Sequence, residues 1–172
     1  MKTDNKEMKM ELRGEREVVL TRYFAAPREL VFDCHTKPEL MRRWLIGPPG
    51  MTLEVCENDL RVGGKYLYVY SDSKGNKTGV FGTFREVSAP EVVANSENYT
   101  MDPSSLDANV PEDPNATVES RTFTTQGNGT LMTHLCTYAS AEVRKATLES
   151  GAGPDGMAEC CLVLDKLLLE LG

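Results

Sequence analysis

Two histidines and five cysteines are the side chains of this 172-residue chain best suited to bind a metal or to act as acid, base or nucleophile. The cysteines have no Cys-x-x-Cys spacing and lie in otherwise apolar segments, where a thiol behaves as a small hydrophobe. Cys34 and His35 are neighbours in a predicted helix and therefore point in different directions. The pattern predicts buried free thiols, with no catalytic set, no metal site and no cofactor.

The second histidine lies in a segment whose alternation is typical of a β-strand. A period of two places Met132, His134, Cys136 and Tyr138 on one face of that strand. His134 could exchange a hydrogen bond with a bound molecule, because the charge of an imidazole is adjustable near neutral pH. The alternative is a core histidine that bonds a neighbouring side chain, and the pattern leaves both open.

Aromatic residues on two earlier strands are further candidates for the lining of a pocket. Tyr66, Tyr68 and Tyr70 share one face, and such side chains combine apolar area with a hydroxyl that needs a partner when buried. They could line a cavity or form an outer face under a long loop, and the sequence does not choose between the two. Phe81 and Phe84 lie on opposite faces of an uninterrupted strand, so at most one points inward unless a bulge at Gly82 intervenes.

Two short helices are predicted before these strands. The first covers Pro27 to His35, because proline suits the first turn of a helix. Thr36 and Glu39 have the spacing of a capping box, which predicts a second helix that carries Trp44 and stops at the sequence GPPG. Both helices are shorter than the ~12 to 15 residues that make an isolated helix marginal in water, so tertiary contacts must hold them.

Strand-like runs separated by turn residues follow from Met51 to Tyr138 and indicate an antiparallel meander. The runs are MTLEVCENDLRV, GKYLYVYSD, TGVFGTFREV, EVVANSENYT, ATVESRTFTT and TLMTHLCTYA. SDSKGN and QGNG are favourable hairpin turns between them. With an earlier strand, REVVLTRYFA, that starts near Glu15, the predicted sheet has about seven strands.

Two further segments complete the chain. Residues 101–115 are acidic, contain three prolines and are predicted to form a long loop over the sheet, either a lid or a solvated insertion. The C-terminal segment GPDGMAECCLVLDKLLLELG has the periodicity of a long amphipathic helix. Its apolar stripe consists of Met157, Cys160, Cys161, Leu164, Leu168 and Leu171.

Composition narrows the class of protein. The formal net charge is −7, so the cationic surface that nucleic-acid binding needs is not evident, and nucleic acid is not an expected partner. No segment reaches the ~20 apolar residues of a membrane helix, and the N-terminus has no apolar core of a signal peptide, so we expect a cytoplasmic protein without membrane insertion. The length favours one domain over residues 15–172, preceded by a polar lead at 1–14.

The order of these elements is that of a helix-grip fold, an α+β architecture in which a curved antiparallel sheet wraps the last helix. The chain resembles the SRPBCC (START-like) superfamily, and within it the group named after the activator of the heat shock protein 90 ATPase. The resemblance rests on TRYFAAPRELVFDCHTKPELMRRWLIGPPG, DLRVGGKYLYVYSDSKGN, GTFREVSAPEVV and GTLMTHLCTYAS. The long acidic loop departs from the family pattern at the mouth of the cavity.

The resemblance implies that the two short helices close one end of a cavity between the terminal helix and the sheet, so that Trp44 walls a pocket. Adaptable methionines such as Met157 would suit such a pocket, although a stripe of this kind is also typical of plain core. The predicted ligand-binding residues are Trp44, Tyr66, Tyr68, Phe81, Met132, His134, Cys136, Met157, Cys160 and Leu164.

Three functions are compatible with these observations. The first is a binding protein for a small hydrophobic or amphipathic molecule, with His134 and a tyrosine as polar contacts. The second, implied by the family, is a co-chaperone-like regulator whose partner is a heat shock protein 90 ATPase. The third is a cyclase- or hydrolase-like enzyme with His134 as acid or base, which an apolar and sealed surrounding of that histidine would exclude. A homodimer through the sheet edge or the long loop is also compatible with the sequence.

Overall fold

A computed structural model describes residues 7–47, 50–106, 112–150 and 154–172 of the chain. Eight antiparallel strands form one sheet in the order β1-β2-β8-β7-β6-β5-β4-β3, accompanied by four helices. The strands are β1 (Lys9–Arg13), β2 (Glu17–Phe24), β3 (Thr52–Asn58), β4 (Lys65–Ser71), β5 (Lys77–Ser88), β6 (Val92–Thr100), β7 (Thr117–Gln126) and β8 (Gly129–Thr137). The helices are α1 (Arg28–Thr36), α2 (Pro38–Met41), α3 (Ala141–Glu149) and α4 (Pro154–Leu171), and a 3-10 turn covers Pro103–Ser105.

The six strand-like runs and the first predicted strand correspond to β2–β8, and the α+β helix-grip architecture is confirmed. The eighth strand, β1, lies in the stretch predicted as a polar lead, whose residues 1–6 are outside the described ranges. Every residue of β1 is exposed and it pairs with β2 at the edge of the sheet. The apolar residues Met8, Met10 and Leu12 alternate with charged residues, but the surrounding sequence is polar, so the segment was predicted as a lead instead of a strand.

Helix α3 was also not predicted. It buries none of its nine residues, so its sequence lacks the apolar stripe on which helix prediction depends. Its start is defined by Ser140, whose hydroxyl oxygen accepts a hydrogen bond from the Val143 N–H at 3.1 Å.

Tight turns set the register of the central strands. The turn QGNG joins β7 to β8, with Gln126 paired to Gly129, and Gly127 adopts a φ of 58° that favours glycine. The resulting register places Glu119 opposite Cys136, Arg121 opposite His134 and β6 Asn95 opposite Glu119. Residues from three consecutive strands thus share one region of the sheet face.

The two short helices follow β2 as predicted, but the capping box is wrong. Thr36 is the last residue of α1, and its buried hydroxyl donates to the Phe32 carbonyl at 2.9 Å. The N-cap of α2 is Lys37, with Pro38 in the first turn, and no side-chain cap bond is present among the described residues. Pro38 and tertiary contacts, rather than a Thr36–Glu39 box, define the start of α2. Residues 48 and 49 of the predicted stop GPPG lie outside the described residues.

Helix α4 packs on the sheet and α1 around one apolar cluster. Cys161 and Leu164 are fully buried there, together with Phe24, Phe123 and Met132 from the sheet. The predicted apolar stripe holds except at its end, where Leu171 is 40% exposed and Leu167 is buried instead. None of the helices within the described ranges has the length and apolar character needed to span a bilayer.

A buried ion pair fastens α4 to the sheet. The Arg22 guanidinium on β2 donates to both carboxylate oxygens of Asp165, at 2.6 and 3.2 Å, and the Arg22 side chain is 1% exposed. Such two-bond pairing fixes orientation as well as distance. The pair therefore sets how the terminal helix lies across the sheet.

Candidate functional site

Two cavities adjoin each other at one side of the apolar cluster. The larger has a volume of about 480 Å³ and the smaller about 360 Å³. Apolar and aromatic side chains dominate the larger cavity, among them Trp44, Leu45, Tyr68, Tyr70, Val80 and Cys160. The residues common to both walls are Glu97, Tyr99, Arg121 and Met157. A charged and hydrogen-bonding boundary therefore separates an apolar space from a more polar one.

The structure distributes the ten predicted site residues over three places. Trp44, Tyr68, Met157 and Cys160 line the larger cavity. The smaller cavity is lined by Phe81, His134 and Cys136, and again by Met157. Tyr66, Met132 and Leu164 belong to the hydrophobic core instead of the described cavity walls. These three positions are buried in the apolar cluster between the sheet and α4.

The tyrosine face points inward, as one of its two interpretations predicted. The Tyr66 hydroxyl donates to the Ser96 carbonyl at 2.6 Å, and the Tyr68 hydroxyl donates to Asn58 Oδ1 at 2.8 Å. Of the two phenylalanines of β5, Phe84 is the buried one, at 4% exposure, whereas Phe81 is partly exposed on a cavity wall. The register shift of β5 lies between Phe84 and Glu86.

Helix α1 carries His35 to the larger cavity, whereas Trp44 reaches it from the turn that follows α2, because α2 ends at Met41 and does not extend to Trp44 as predicted. Trp44 is 1% exposed and its indole N–H donates to the Cys34 carbonyl at 2.7 Å. His35 packs edge-on against Trp44, with ring centroids 4.8 Å apart, and its Nδ1 donates to the Val31 carbonyl at 2.8 Å. Its Nε2 is buried without a hydrogen-bond partner among the described residues. Burial lowers the pKa of His35 to about 3, so the ring is neutral at physiological pH.

Four ionisable side chains form a cluster, defined here as the polar cluster, at the boundary of the two cavities: Glu97, Glu119, Arg121 and His134. Glu119 Oε1 lies 3.4 Å from His134 Nε2, and Glu119 Oε2 lies 3.5 Å from the Arg121 guanidinium. Tyr99 donates to Glu97 Oε1 at 2.7 Å. Most of these contacts are long, so the cluster retains capacity to bond another group.

Burial and opposite charges set the protonation states in the polar cluster. Burial alone would raise the pKa of Glu119, but the Arg121 guanidinium and His134 lower it overall. Burial, followed by the neighbouring Glu119 charge, raises the pKa of Glu97. Burial and Arg121 lower the pKa of His134, whereas Glu119 keeps the pKa of Arg121 high. The cluster thus consists of an ionised Glu119–Arg121 pair, a neutral imidazole and a carboxyl that readily holds a proton.

His134 therefore lies in neither an apolar nor a sealed surrounding. It contacts Glu119 and lines a cavity, although only 3% of the residue is exposed. The condition that would exclude an acid–base role is not met. The donor atoms of Glu119, His134 and Cys136 also lie within 4.8 Å of one another, which makes them the candidates for holding a metal ion.

Sequence reasoning missed Glu97, Glu119, Arg121 and His35 as site residues. The missed signal is strand alternation: Glu119 and Arg121 have the same parity as the apolar Phe123 on β7, and Asn95 and Glu97 share parity on β6. Charged residues at core-facing positions of a strand are uncommon and point to a polar site.

Comparison with known proteins agrees with this architecture. The family model described as "Activator of Hsp90 ATPase homolog 1-like protein" matches residues 25–168. A solved structure of a protein from Rhodobacter sphaeroides is 23% identical, with a TM-score of 0.82 over 95% of this chain and 99% of that chain. A protein from Nitrosomonas europaea is 27% identical, with a TM-score of 0.78 over 94% and 99% of the two chains.

A third solved structure, an AHSA1-like protein from Aeromonas hydrophila, is 14% identical, with a TM-score of 0.68 over 91% of this chain and 96% of that chain. No protein with a curated description matches the sequence. The family model spans the two short helices, β3–β8, α3 and nearly all of α4, which supply most of the cavity walls, whereas Val18 and Leu20 of β2 lie outside the matched residues. This chain therefore belongs to the Activator of Hsp90 ATPase homolog 1-like family of the SRPBCC superfamily.

Proposed function

We propose that this chain is a binding protein for a small amphipathic molecule held between the sheet and α4. The observation that carries the proposal is the polar cluster at the boundary of two adjoining cavities. The larger cavity, about 480 Å³, is within the size range of small-molecule sites, which are mostly apolar with a few placed polar groups. A location in the cytoplasm is part of the proposal.

The walls suggest how the ligand lies. Its apolar body would fill the larger cavity against Trp44, Tyr70 and Val80, where burial of apolar area supplies most of the affinity. Its polar end would reach Arg121 and Glu97 at the boundary.

The polar end of the ligand is better described as uncharged than as anionic. Arg121 is already paired with Glu119, so a carboxylate or phosphate would have to compete with an internal partner. Glu97, whose raised pKa favours the protonated form, can donate a hydrogen bond to a carbonyl or hydroxyl. A ligand with a hydroxyl, carbonyl or amide group at one end fits these donors and acceptors.

Mass spectrometry of the purified protein tests the proposal directly. Under native conditions we expect a non-covalent adduct of defined mass that is lost on denaturation. Its mass would identify the class of ligand. Absence of any adduct, combined with failure of the fluorescent probe described next, would contradict a binding role.

The single tryptophan provides a second test, because Trp44 lies on the cavity wall. Titration with N-phenyl-1-naphthylamine, an uncharged amphipathic probe, should quench or shift Trp44 emission. Val80→Phe fills the larger cavity and should weaken probe binding about tenfold or more, the equivalent of about 1.4 kcal/mol.

A matched control lies on the same strand. Val87 is, like Val80, a partly buried valine of β5 packed against the core, but it is outside the described cavity walls. Val87→Phe should therefore leave probe affinity unchanged. Equal affinities of the two variants would place the probe elsewhere and contradict the proposed site.

The family description also names the activation of an Hsp90 ATPase. Stimulation of a purified Hsp90 ATPase by this chain, with no adduct and no Val80-dependent probe binding, would favour the co-chaperone alternative. Fold similarity by itself does not transmit that activity.

A further inference from the structure

Three potential metal ligands meet on adjacent strands at the wall of the smaller cavity. Glu119 of β7 lies directly opposite Cys136 of β8, and His134 precedes Cys136 by two residues on the same face. All three are buried, with 5%, 3% and 5% exposure for Glu119, His134 and Cys136. A carboxylate, an imidazole and a thiol are the three ligand types that zinc prefers in proteins.

The distances between the donor atoms are close to those of a metal site, although the two contacts of the sulfur are also within hydrogen-bond range. His134 Nε2 lies 3.3 Å from Cys136 Sγ and 3.4 Å from Glu119 Oε1, and Sγ lies 3.8 Å from the same oxygen. In a tetrahedral site with bonds of about 2.0–2.3 Å, neighbouring ligand atoms lie about 3.3–3.7 Å apart. A nitrogen–oxygen distance of 3.4 Å is long for a hydrogen bond. The triangle therefore has the dimensions of one face of a coordination tetrahedron.

The surroundings of the triangle support the carboxylate as a ligand. While Oε1 faces the triangle, the other oxygen of Glu119 lies 3.5 Å from both the Arg121 guanidinium and the Asn95 amide. Outer contacts of this kind orient a ligating carboxylate. His134 Nδ1 is buried and has no hydrogen-bond partner in the described part of the chain. It can carry the ring proton while Nε2 supplies its lone pair to a metal.

Two of the three ligands would be anionic in the bound state. A Glu119 carboxylate and a Cys136 thiolate together balance the charge of one divalent ion, and paired charges are the arrangement that burial tolerates. The thiol proton is released to solvent when the sulfur binds the ion.

We propose that Glu119, His134 and Cys136 bind one zinc ion, with a fourth coordination position open to the smaller cavity. The linear spacing of cysteines and histidines indicated no metal site, because these ligands are brought together by the pairing of β7 with β8. The proposal stands independently of the amphipathic ligand, since it concerns the wall of the other cavity. A coordinating water or a donor atom of a small molecule would take the open position.

Metal analysis of the full chain tests the stoichiometry. The protein is stripped with a chelator, dialysed against Zn²⁺ and analysed by inductively coupled plasma mass spectrometry. We expect one zinc ion per chain. Absence of bound zinc after dialysis at micromolar free metal would overturn the proposal.

Cobalt substitution identifies the ligands. Co²⁺ bound by one thiolate in a tetrahedral site should give a sulfur-to-cobalt charge-transfer band in the near ultraviolet and intense visible bands. Cys136→Ser should abolish the charge-transfer band and weaken zinc binding about 100-fold, and Glu119→Gln should weaken it about tenfold, in line with effects on ligands of other sites. Cys56→Ser is the matched control, because Cys56 is a buried cysteine of β3 outside the triangle.

A charge-transfer band that survives Cys136→Ser, or that disappears in Cys56→Ser, would overturn the assignment. If Cys136→Ser does not fold, ¹¹³Cd nuclear magnetic resonance of the unmodified protein decides the question. Scalar couplings from one cadmium to the Cys136 β-protons and the His134 ring protons are the expected result. Couplings to any other cysteine would contradict the site.

Discussion

Two arginine–carboxylate pairs lie on the sheet face that meets α4. They differ in the length of their contacts, in the elements that they join and in whether a cavity adjoins them. Arg22 and Asp165 join β2 to α4 through two bonds, at 2.6 and 3.2 Å. Arg121 and Glu119 both belong to β7, approach only to 3.5 Å and line cavities. The first pair is satisfied internally and stabilises the fold, whereas the second retains bonding capacity for another group.

The comparison shows how a buried charge can be assigned a role. Where an ion pair is short and joins two distant elements, removal of one side chain leaves the charge of the other uncompensated. Where the two charged groups are farther apart and a cavity adjoins them, water or a proton can compensate the charge that remains. The two sites should therefore respond very differently to the same substitution.

The largest expected effect is on the Arg22 pair. Arg22→Met leaves Asp165 without its partner at the helix–sheet junction and should lower the free energy of unfolding by about 3–5 kcal/mol. Urea denaturation followed by circular dichroism measures the change. The double variant Arg22→Met/Asp165→Leu should recover most of the loss, and a double variant no more stable than the single one would contradict this account.

The second expected effect is a dependence of the free energy of unfolding on pH, caused by His35 on the wall of the larger cavity. His35 has a folded-state pKa of about 3 against 6.5 for the ordinary side chain, so the unfolded chain binds a proton that the folded chain excludes. Its contribution to stability is fully present above pH ~6.5 and is lost as the pH falls toward ~3, with about 2 kcal/mol lost by pH ~5.

Urea denaturation between pH 5 and 8 measures this loss, with His35→Phe as the variant, since a phenyl ring suits the aromatic contacts with Phe24 and Trp44. The variant should lose less stability on acidification than the original chain. Identical pH profiles for the two proteins would show that His35 is not the group that titrates.

A smaller effect is expected at the second arginine. Arg121→Met should lower the free energy of unfolding by less than Arg22→Met, because the Arg121–Glu119 contact is longer and Glu119 faces a cavity, where it can take up a proton or water. The same denaturation experiment gives the value. Equal losses at Arg22 and Arg121 would remove the distinction between the two pairs.

The smallest effect concerns the wall of the smaller cavity. Ser140→Ala removes the N-cap of α3, a helix that contributes Val143 and Thr147 to that wall, and should cost about 1 kcal/mol or less. Hydrogen exchange should show faster exchange of α3 amides, with α4 amides unchanged as the internal reference. Equal acceleration in both helices would indicate that the cavity wall and the anchored helix are one cooperative unit.

Much of the fold was predictable from local patterns. Seven strands, the two short helices and α4 follow from periodicity and turn residues, because each buries an apolar face. Strand β1 and helix α3 were missed since they bury little or nothing. The capping box failed because Thr36 bonds the Phe32 carbonyl inside α1, a choice made by its burial.

For the candidate site, the sequence predicted which residues share a face of a strand but not which of them meet a cavity. Alternation placed His134 and Cys136 on one face of β8, and in the structure both line the smaller cavity. The resemblance implied that Trp44 walls a pocket, and Trp44 lines the larger cavity. Whether an inward residue meets a cavity or core depends on depth, which is why Tyr66, Met132 and Leu164 lie in the core.

The sequence by itself determined the order of the elements from β2 to β8 and of α4, the residues that share a face of each apolar strand, and the family, because these depend on residue types at short spacings. Only the tertiary structure decided that Glu119 lies opposite Cys136, that Arg121 borders both cavities and that Arg22 reaches Asp165 across 143 positions of sequence. The physical reason is that strand order, register and helix docking arise from contacts between distant segments, and no local pattern records them.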